Sequence, residues 1–273
     1  MSEWVNGRLR RWIDCRDRGL QYGDGLFETM RVRGHRVRFL DYHLERLFEG
    51  CRRLKLDAPE ERLLRREITT RAAERAEAVL KLIVTRGIGA RGYRPSGEER
   101  PTRVLSLHRL PPSAAAALRG PVRIRLCHTR LGSTPALAGL KTLNRLESVL
   151  ARAEWHDARI WEGLMRDEEG NVVSGTMSNV FVRRGSTLLT PSLERCGIAG
   201  VMRRWVLEQA RHLGLEAREG RLNLRELDRA EEVFMTNAVC GVVSVAMVQE
   251  GRRRIRPFRT DGAERLRARL ERE

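Results

Sequence analysis

Apolar residues recur along this chain with two periods, and the switches between them lay out its elements. Trp4-Val5 and Leu9–Trp12 flank Asn6-Gly7, which predicts a short hairpin. After the turn at Tyr22-Gly-Asp-Gly25, residues 26–32 alternate as a strand, with Phe27, Thr29 and Arg31 on one face. Gly34-His35 turns into a second strand at 36–39. The period then lengthens. Leu44, Leu47, Phe48 and Cys51 mark one side of an amphipathic helix over 42–55, and a second helix is predicted over about 60–78. Residues 79–85 read as a buried strand and 102–107 as another.

The one clear composition shift is Pro111-Pro-Ser-Ala-Ala-Ala-Ala-Leu118-Arg-Gly-Pro121. It predicts a linker at 111–120 between a smaller N-terminal domain, 1–110, and a larger C-terminal domain, 121–273. Beyond it, strands are predicted at 122–128, 161–166, 232–235 and 242–248, with a hairpin from 177 to 190. Asn144, with Glu147 three residues on, reads as a helix N-cap and its reciprocal partner. Leu146, Val149, Leu150 and Ala153 then give the stripe of a helix packed on a core. Another helix follows Gly197 and Gly200, to about Leu213. Strands alternating with helices predict an α/β (α+β) fold.

Composition narrows the function classes. Hydrophobic residues are 41% and no apolar run approaches the roughly 20 residues of a membrane span, so no membrane partner is expected. The start, Met1-Ser-Glu-Trp4, has no signal-peptide pattern, and five scattered cysteines without a C-x-x-C pair suggest reduced thiols in the cytoplasm. The six histidines lack ligand spacing, so no metal is expected. The net charge of +17 raises nucleic acid as a partner. Its arginines are nevertheless spread and interleaved with acids, as in Glu60–Glu67, and aromatics are only 5%. The densest run is Arg252–Arg254 with Arg256 and Arg259. A solvated basic surface without a dedicated nucleic-acid partner is the better reading.

That arginine excess sharpens one position. Only Lys55, Lys81 and Lys141 are lysine. Arginine cannot be deprotonated in a protein, so a chain this rich in it keeps lysine chiefly where a free amine is needed. Lys141 follows Ala138-Gly139 at the approach to a helix. The glycine turn before Val201 and Met202 would present backbone N–H groups at a helix start, which suits a phosphate. The loop Arg86-Gly-Ile-Gly-Ala-Arg91-Gly-Tyr93 is flexible enough to lie over an anion. Arg46, taken alone, reads as a solvated surface arginine. One lysine and one phosphate cradle are the parts of pyridoxal 5'-phosphate chemistry.

At this point the chain resembles a family. His43-Leu-Glu-Arg46, Thr85–Tyr93, Leu137–Glu147, Ser178-Asn-Val-Phe181, Gly197–Arg203 and Thr236-Asn-Ala238, with Tyr22–Gly25, are similar to motifs of the class IV, fold-type IV pyridoxal-phosphate enzymes. Within them the loop at 86–93 and the segment at 137–146 look most like those of the aminodeoxychorismate lyases. Class IV aminotransferases, acting on D-amino or branched-chain acids, are the rival. The resemblance implies two α/β domains with the cofactor between them, in a homodimer. It implies Lys141 as the Schiff-base lysine and Arg46 as a phosphate contact, against the surface reading. Val201 and Met202 would give backbone N–H groups to that phosphate, assisted by Asn237 and Ala238. Arg91, Tyr93 and Arg31 become candidates to hold substrate carboxylates. One departure stands out: the family's glutamate at the pyridine nitrogen falls five residues before Asn179, where this chain has Ser174.

Overall fold

The computed structural model describes residues 2–251, 253–255 and 258–272. The chain divides into two compact units, one running to Leu110 and joined by Leu140–Asn144, the other made of Pro111–Gly139 and the chain from Arg145.

The first unit contains β1 (Ser2–Val5), β2 (Arg8–Leu9), α1 (Arg18–Tyr22), β3 (Gly25–Arg33), β4 (Arg36–Val37), α2 (Leu40–Leu54), α3 (Glu61–Ala72), β5 (Glu77–Thr85) and β6 (Thr102–His108). Its sheet runs β2-β1-β6-β5-β3-β4, and these pairs are antiparallel, as short connections allow. Leu44 and Leu47 of α2, with Leu64 and Ile68 of α3, join Met30, Leu80 and Leu82 in the buried core. Burial of each such side chain contributes about 1.5–3 kcal/mol. The alternation along β3 is as predicted, with one exception that matters below: its buried face carries Leu26, Glu28, Met30 and Val32.

The second unit contains α4 (Pro112–Arg119), β7 (Val122–Leu131), α5 (Leu146–Arg152), β8 (Ile160–Asp167), β9 (Val172–Gly175), β10 (Asn179–Arg184), β11 (Thr187–Pro191), α6 (Val201–Gln209), β12 (Glu216–Gly220), α7 (Leu224–Arg229), β13 (Glu232–Asn237), β14 (Gly241–Glu250), β15 (Arg253–Ile255) and α8 (Asp261–Leu270). A 3-10 turn, Ala210–Leu213, extends α6. The sheet order is β12-β11-β10-β13-β14-β7-β8-β9, with β15 on β14. The β14–β7, β7–β8 and β11–β12 pairs are parallel and the rest antiparallel.

Three expectations change. The alanine-rich stretch read as a linker holds α4, because alanine favours helix and Pro112 stands where a missing N–H costs nothing. The five residues around Lys141 belong with the first unit: Phe27 N–H donates to the Lys141 carbonyl at 3.0 Å, and Leu143 N–H to the Gly25 carbonyl at 3.0 Å. That tether delays the helix start to Leu146, after Arg145. Asn144 does not cap it but donates to the Gly23 carbonyl at 3.3 Å, and Glu147 accepts from Gly132 N–H at 2.9 Å. The expected core stripe is also reversed. Ala151 is the buried side of α5, packed with Cys127, Leu131 and Trp155, whereas Leu146, Val149 and Leu150 are 77%, 59% and 61% exposed.

The scattered charges pair locally, as in Arg52–Glu49, Arg65–Glu61, Arg71–Glu74 and Arg204–Glu208. Arg252 and Arg256 of the densest basic run lie outside the described residues. Among the described residues no helix is long and apolar enough to cross a membrane, and no acidic, histidine or cysteine group has metal-binding geometry.

Candidate functional site

In the first unit the site is built on β3, α2 and the returning segment Leu140–Asn144. Thr142 bridges Leu26, so the segment runs beside β3 like an added strand. This holds the half-buried Lys141 with its Nζ 4.2 Å from the centre of the Phe27 ring, a cation–π distance. Lys81, one strand away, sits 5.4 Å from the same ring. Gly139, just before the segment, has φ +83°, a left-handed conformation that explains the small-residue approach.

Arg46 is not a solvated arginine. Its Nε donates to Glu28 Oε1 at 2.8 Å, and its Nη2 bonds Glu28 Oε2. The same Oε2 accepts from His43 Nδ1 at 2.6 Å. Glu28 and His43 are each 1% exposed. Burial alone pushes the Glu28 carboxyl up, but Arg46 and then His43 outweigh it and hold the group at about 2. Burial pushes His43 below its ordinary value, opposed by Glu28 and reinforced by Arg46 and Lys141. Sequence reasoning missed both partners. The signal was there: a glutamate on the apolar face of an alternating strand, and a histidine three residues before the arginine on one helix.

The loop at 86–93 is fastened rather than mobile. Arg18, 2% exposed, donates to the carbonyls of Gly92 and Tyr93 at 2.8 and 2.9 Å. Gly92 N–H donates to the Tyr22 hydroxyl at 3.0 Å. The loop therefore presents Arg91 and Tyr93 outward, the latter 86% exposed. Arg31 stands elsewhere: it is ion-paired with Glu77 on the adjoining strand, so its charge is already offset.

In the second unit, β10 and β13 bring Asn179 opposite Thr236. Asn179 Nδ2 donates to the Ile198 carbonyl at 2.8 Å, holding the glycine loop that leads into α6. At Gly200 a Cβ would stand 2.1 Å from Asn179 Oδ1, so only glycine fits that close approach. No side chain caps α6 at Gly200, and Val201 and Met202 are buried at its start. A buried, uncapped helix start beside a bare glycine backbone fits a phosphate group. Thr236 lies at the same sheet end, its buried hydroxyl without a hydrogen-bond partner among the described residues. The Asn237 side chain is spent on its own turn, accepting from Val239 and Cys240 N–H at 3.0 and 2.8 Å, with Ala238 inside that turn.

Ser174 is on β9, 8% exposed, opposite Met165 on β8. Glu162, a buried carboxylate on β8 three residues before Met165, is fully engaged. It accepts from Gly163, Thr176 and Met177 N–H and from the Thr176 and Ser178 hydroxyls, at 2.6–3.1 Å. It shapes the 175–178 turn between Ser174 and Asn179.

The family model for class IV amino-transferases matches residues 25–248. A crystal structure of 4-amino-4-deoxychorismate lyase from Pseudomonas aeruginosa is 44% identical, with TM-score 0.92, covering 99% of this chain and 98% of that one. The aminodeoxychorismate lyase of Vibrio harveyi is 34% identical over 243 residues, 89% of this chain and 90% of that one. A Methanocaldococcus jannaschii protein provisionally named a branched-chain-amino-acid aminotransferase is 32% identical over 258 residues, 90% of this chain and 87% of that one. The two-sheet α/β architecture is that of fold-type IV. The fold, the lysine on its tethered segment and the uncapped glycine helix start thus meet in one result: this chain belongs to the class IV aminotransferase family of pyridoxal-phosphate-dependent enzymes.

Proposed function

We propose that the protein is an aminodeoxychorismate lyase, converting 4-amino-4-deoxychorismate to 4-aminobenzoate and pyruvate for folate synthesis. The observation that carries this over the aminotransferase reading is the 44% identity, across 99% of the chain, to a solved lyase. The fastened Arg91-Gly92-Tyr93 loop supports it, since it offers an exposed arginine to a substrate with two carboxylates.

When bound, pyridoxal phosphate supplies an electron-withdrawing ring that acidifies the carbon bearing the substrate amine. Arg46 would contact the phosphate, and backbone N–H groups of Val201 and Met202 would donate to it, assisted by Asn237 and Ala238. Lys141, as a neutral amine, takes the proton from the amine-bearing carbon. The neighbouring C–O bond breaks, the ring becomes aromatic, and Lys141 returns a proton to the departing enolpyruvyl group, which leaves as pyruvate. Aromatisation supplies much of the driving force, so the residues mainly orient groups and carry a proton. Arg91 and Tyr93 grip carboxylate. The working form is a homodimer: the exposed Leu146, Val149 and Leu150 stripe supports a partner copy covering α5.

The test is direct. The yellow protein, incubated with aminodeoxychorismate, is expected to release fluorescent 4-aminobenzoate, and far less product from D-alanine or leucine with 2-oxoglutarate. Borohydride should bleach the colour and fix the adduct on Lys141. Faster turnover of either amino acid would favour the aminotransferase, and an adduct on Lys81 would remove Lys141 from its role.

A further inference from the structure

We propose that Glu28, His43 and Arg46 form a proton-linked site for a phosphate-ester dianion, in which His43 takes up a proton as the dianion docks at Arg46. The inference rests on the reading of Arg46 as a phosphate contact and adds two residues to it.

The first argument is a charge count. Glu28 binds Arg46 through both of its oxygens, and both side chains are withdrawn from solvent. One carboxylate against one guanidinium sums to zero. A dianion arriving there would leave the cluster with a net charge of minus two in a largely dry site, which is unfavourable without a compensating cation. Lys141 acts on the His43 ring as a cation while its amine is charged, and that compensation is lost in the neutral amine that the proposed proton transfer needs.

The second argument is an atom without a partner. A carboxylate only accepts, so His43 Nδ1 must carry the hydrogen that Glu28 Oε2 receives at 2.6 Å. His43 Nε2 is then a bare lone pair in the neutral ring. It is buried and has no hydrogen-bond partner among the described residues. Three charged groups face this ring: Glu28 from β3, Arg46 from the same helix, and Lys141 from the returning segment. Burial and the two cations keep the ring neutral as it stands. A dianion beside Arg46 reverses the sign of the local potential and favours the imidazolium. Nδ1–H keeps its bond to Glu28, and Nε2 gains a hydrogen that a neutral ring lacks there.

The experiment uses full-length protein with 15N-labelled histidine, freed of cofactor, at about pH 8, where a phosphate ester is a dianion and an ordinary histidine is neutral. Imidazole nitrogen shifts distinguish the neutral tautomers from the cation. His43 is expected as the neutral Nδ1–H form alone, as the cation with pyridoxamine 5'-phosphate or inorganic phosphate, and as the neutral form again with pyridoxamine, which lacks phosphate. His43→Asn keeps an N–H donor toward Glu28 and assigns the signal. It is expected to bind pyridoxamine 5'-phosphate about tenfold more weakly, the loss that follows when roughly nine-tenths of the His43 rings are cationic in the complex. If that variant does not fold, His43 remains identifiable as the only buried histidine of the six. A neutral His43 in the phosphate-bound protein overturns the proposal when Arg46→Gln still weakens binding. Unchanged affinity in Arg46→Gln overturns the Arg46 reading and the proposal with it.

Discussion

Arg18 and Tyr93 are tied across 75 positions of sequence: the Arg18 guanidinium donates to the Tyr93 carbonyl oxygen at 2.9 Å. It also reaches the Gly92 carbonyl at 2.8 Å and Asp24 at 3.0 Å, while the Tyr22 and Tyr93 rings meet edge to face at 5.6 Å. A loop with three glycines is thus held in one shape by a buried arginine from a short helix. Arg18→Ala is expected to raise the Michaelis constant for the dicarboxylate substrate by roughly ten- to a hundredfold, the worth of lost hydrogen bonds to a charged group. Cofactor retention should hold. Arg18→Lys should rescue little, because an ammonium cannot span two carbonyls and a carboxylate in one plane. Amide exchange at Gly92 and Tyr93 reads the loop itself, and unchanged exchange together with an unchanged constant would remove Arg18 from this role.

Glu28 makes acid stability predictable. Its carboxyl sits at about 2 in the folded chain against 4.5 ordinarily, because Arg46 and His43 outweigh its burial. The folded chain binds fewer protons than the unfolded one across that window. The contribution, on the order of 3 kcal/mol, is present above about pH 4.5 and is lost as pH falls toward 2. His43 acts in the same direction, since burial denies it a proton that the unfolded chain accepts below its ordinary 6.5. Glu28→Gln should be less stable at neutral pH, having left Arg46 without its carboxylate, and should lose less on further acidification. Urea midpoints taken between about pH 7 and pH 3 test this. Parallel curves for the two proteins would refute it.

The exposed stripe of α5 makes a third expectation. A charge at Leu150, 61% exposed, costs the isolated chain little but would be buried without a partner in a dimer. Leu150→Asp is therefore expected to shift the protein toward monomer while its circular dichroism stays unchanged. Sedimentation velocity checks it, and an unchanged sedimentation coefficient would remove the α5 stripe as a contact between copies.

Why this stripe was misread illustrates what a sequence carries. The period of Leu146, Val149 and Leu150 was right, and so was the helix. Periodicity reports that a face is apolar, not what covers it, and here Ala151 faces the unit's own core while Glu147 accepts from Gly132 N–H. The strands of the first unit were legible because alternation and burial coincide in an antiparallel sheet with one covered face. The short elements β9, β12 and α7 left too few residues to show a period. Arginine usage singled out Lys141, and the structure holds it on the tethered segment beside Phe27. Glu28 and His43 were not singled out, because their partnership spans 15 positions and depends on α2 lying across β3. Asn144 was assigned to a cap on local spacing, and two long-range backbone bonds overrode it.

The last expectation concerns Ser174, which stands where the family resemblance implies a glutamate at the pyridine nitrogen. The nearby glutamates are engaged by other groups or exposed. Glu162 has both oxygens engaged by the 175–178 turn. Glu168 and Glu169 are exposed in the turn before β9, and Glu169 is ion-paired with Arg195. A serine hydroxyl can hydrogen-bond a ring nitrogen but cannot hold it as a pyridinium by charge pairing. The ring is then a weaker electron acceptor. Transamination depends on that acceptor, since the electron pair must be held until a proton returns at another carbon. Elimination depends on it less, since the pair leaves with the enolpyruvyl oxygen as aromaticity forms. Our hypothesis is that Ser174 favours lyase over transaminase. Ser174→Glu should therefore raise the transamination of D-alanine relative to 4-aminobenzoate formation, and should shift the visible absorption band of the bound cofactor. The ratio of the two activities, measured on one preparation, decides it: an unchanged ratio means that the hydroxyl at this position does not set the reaction's course.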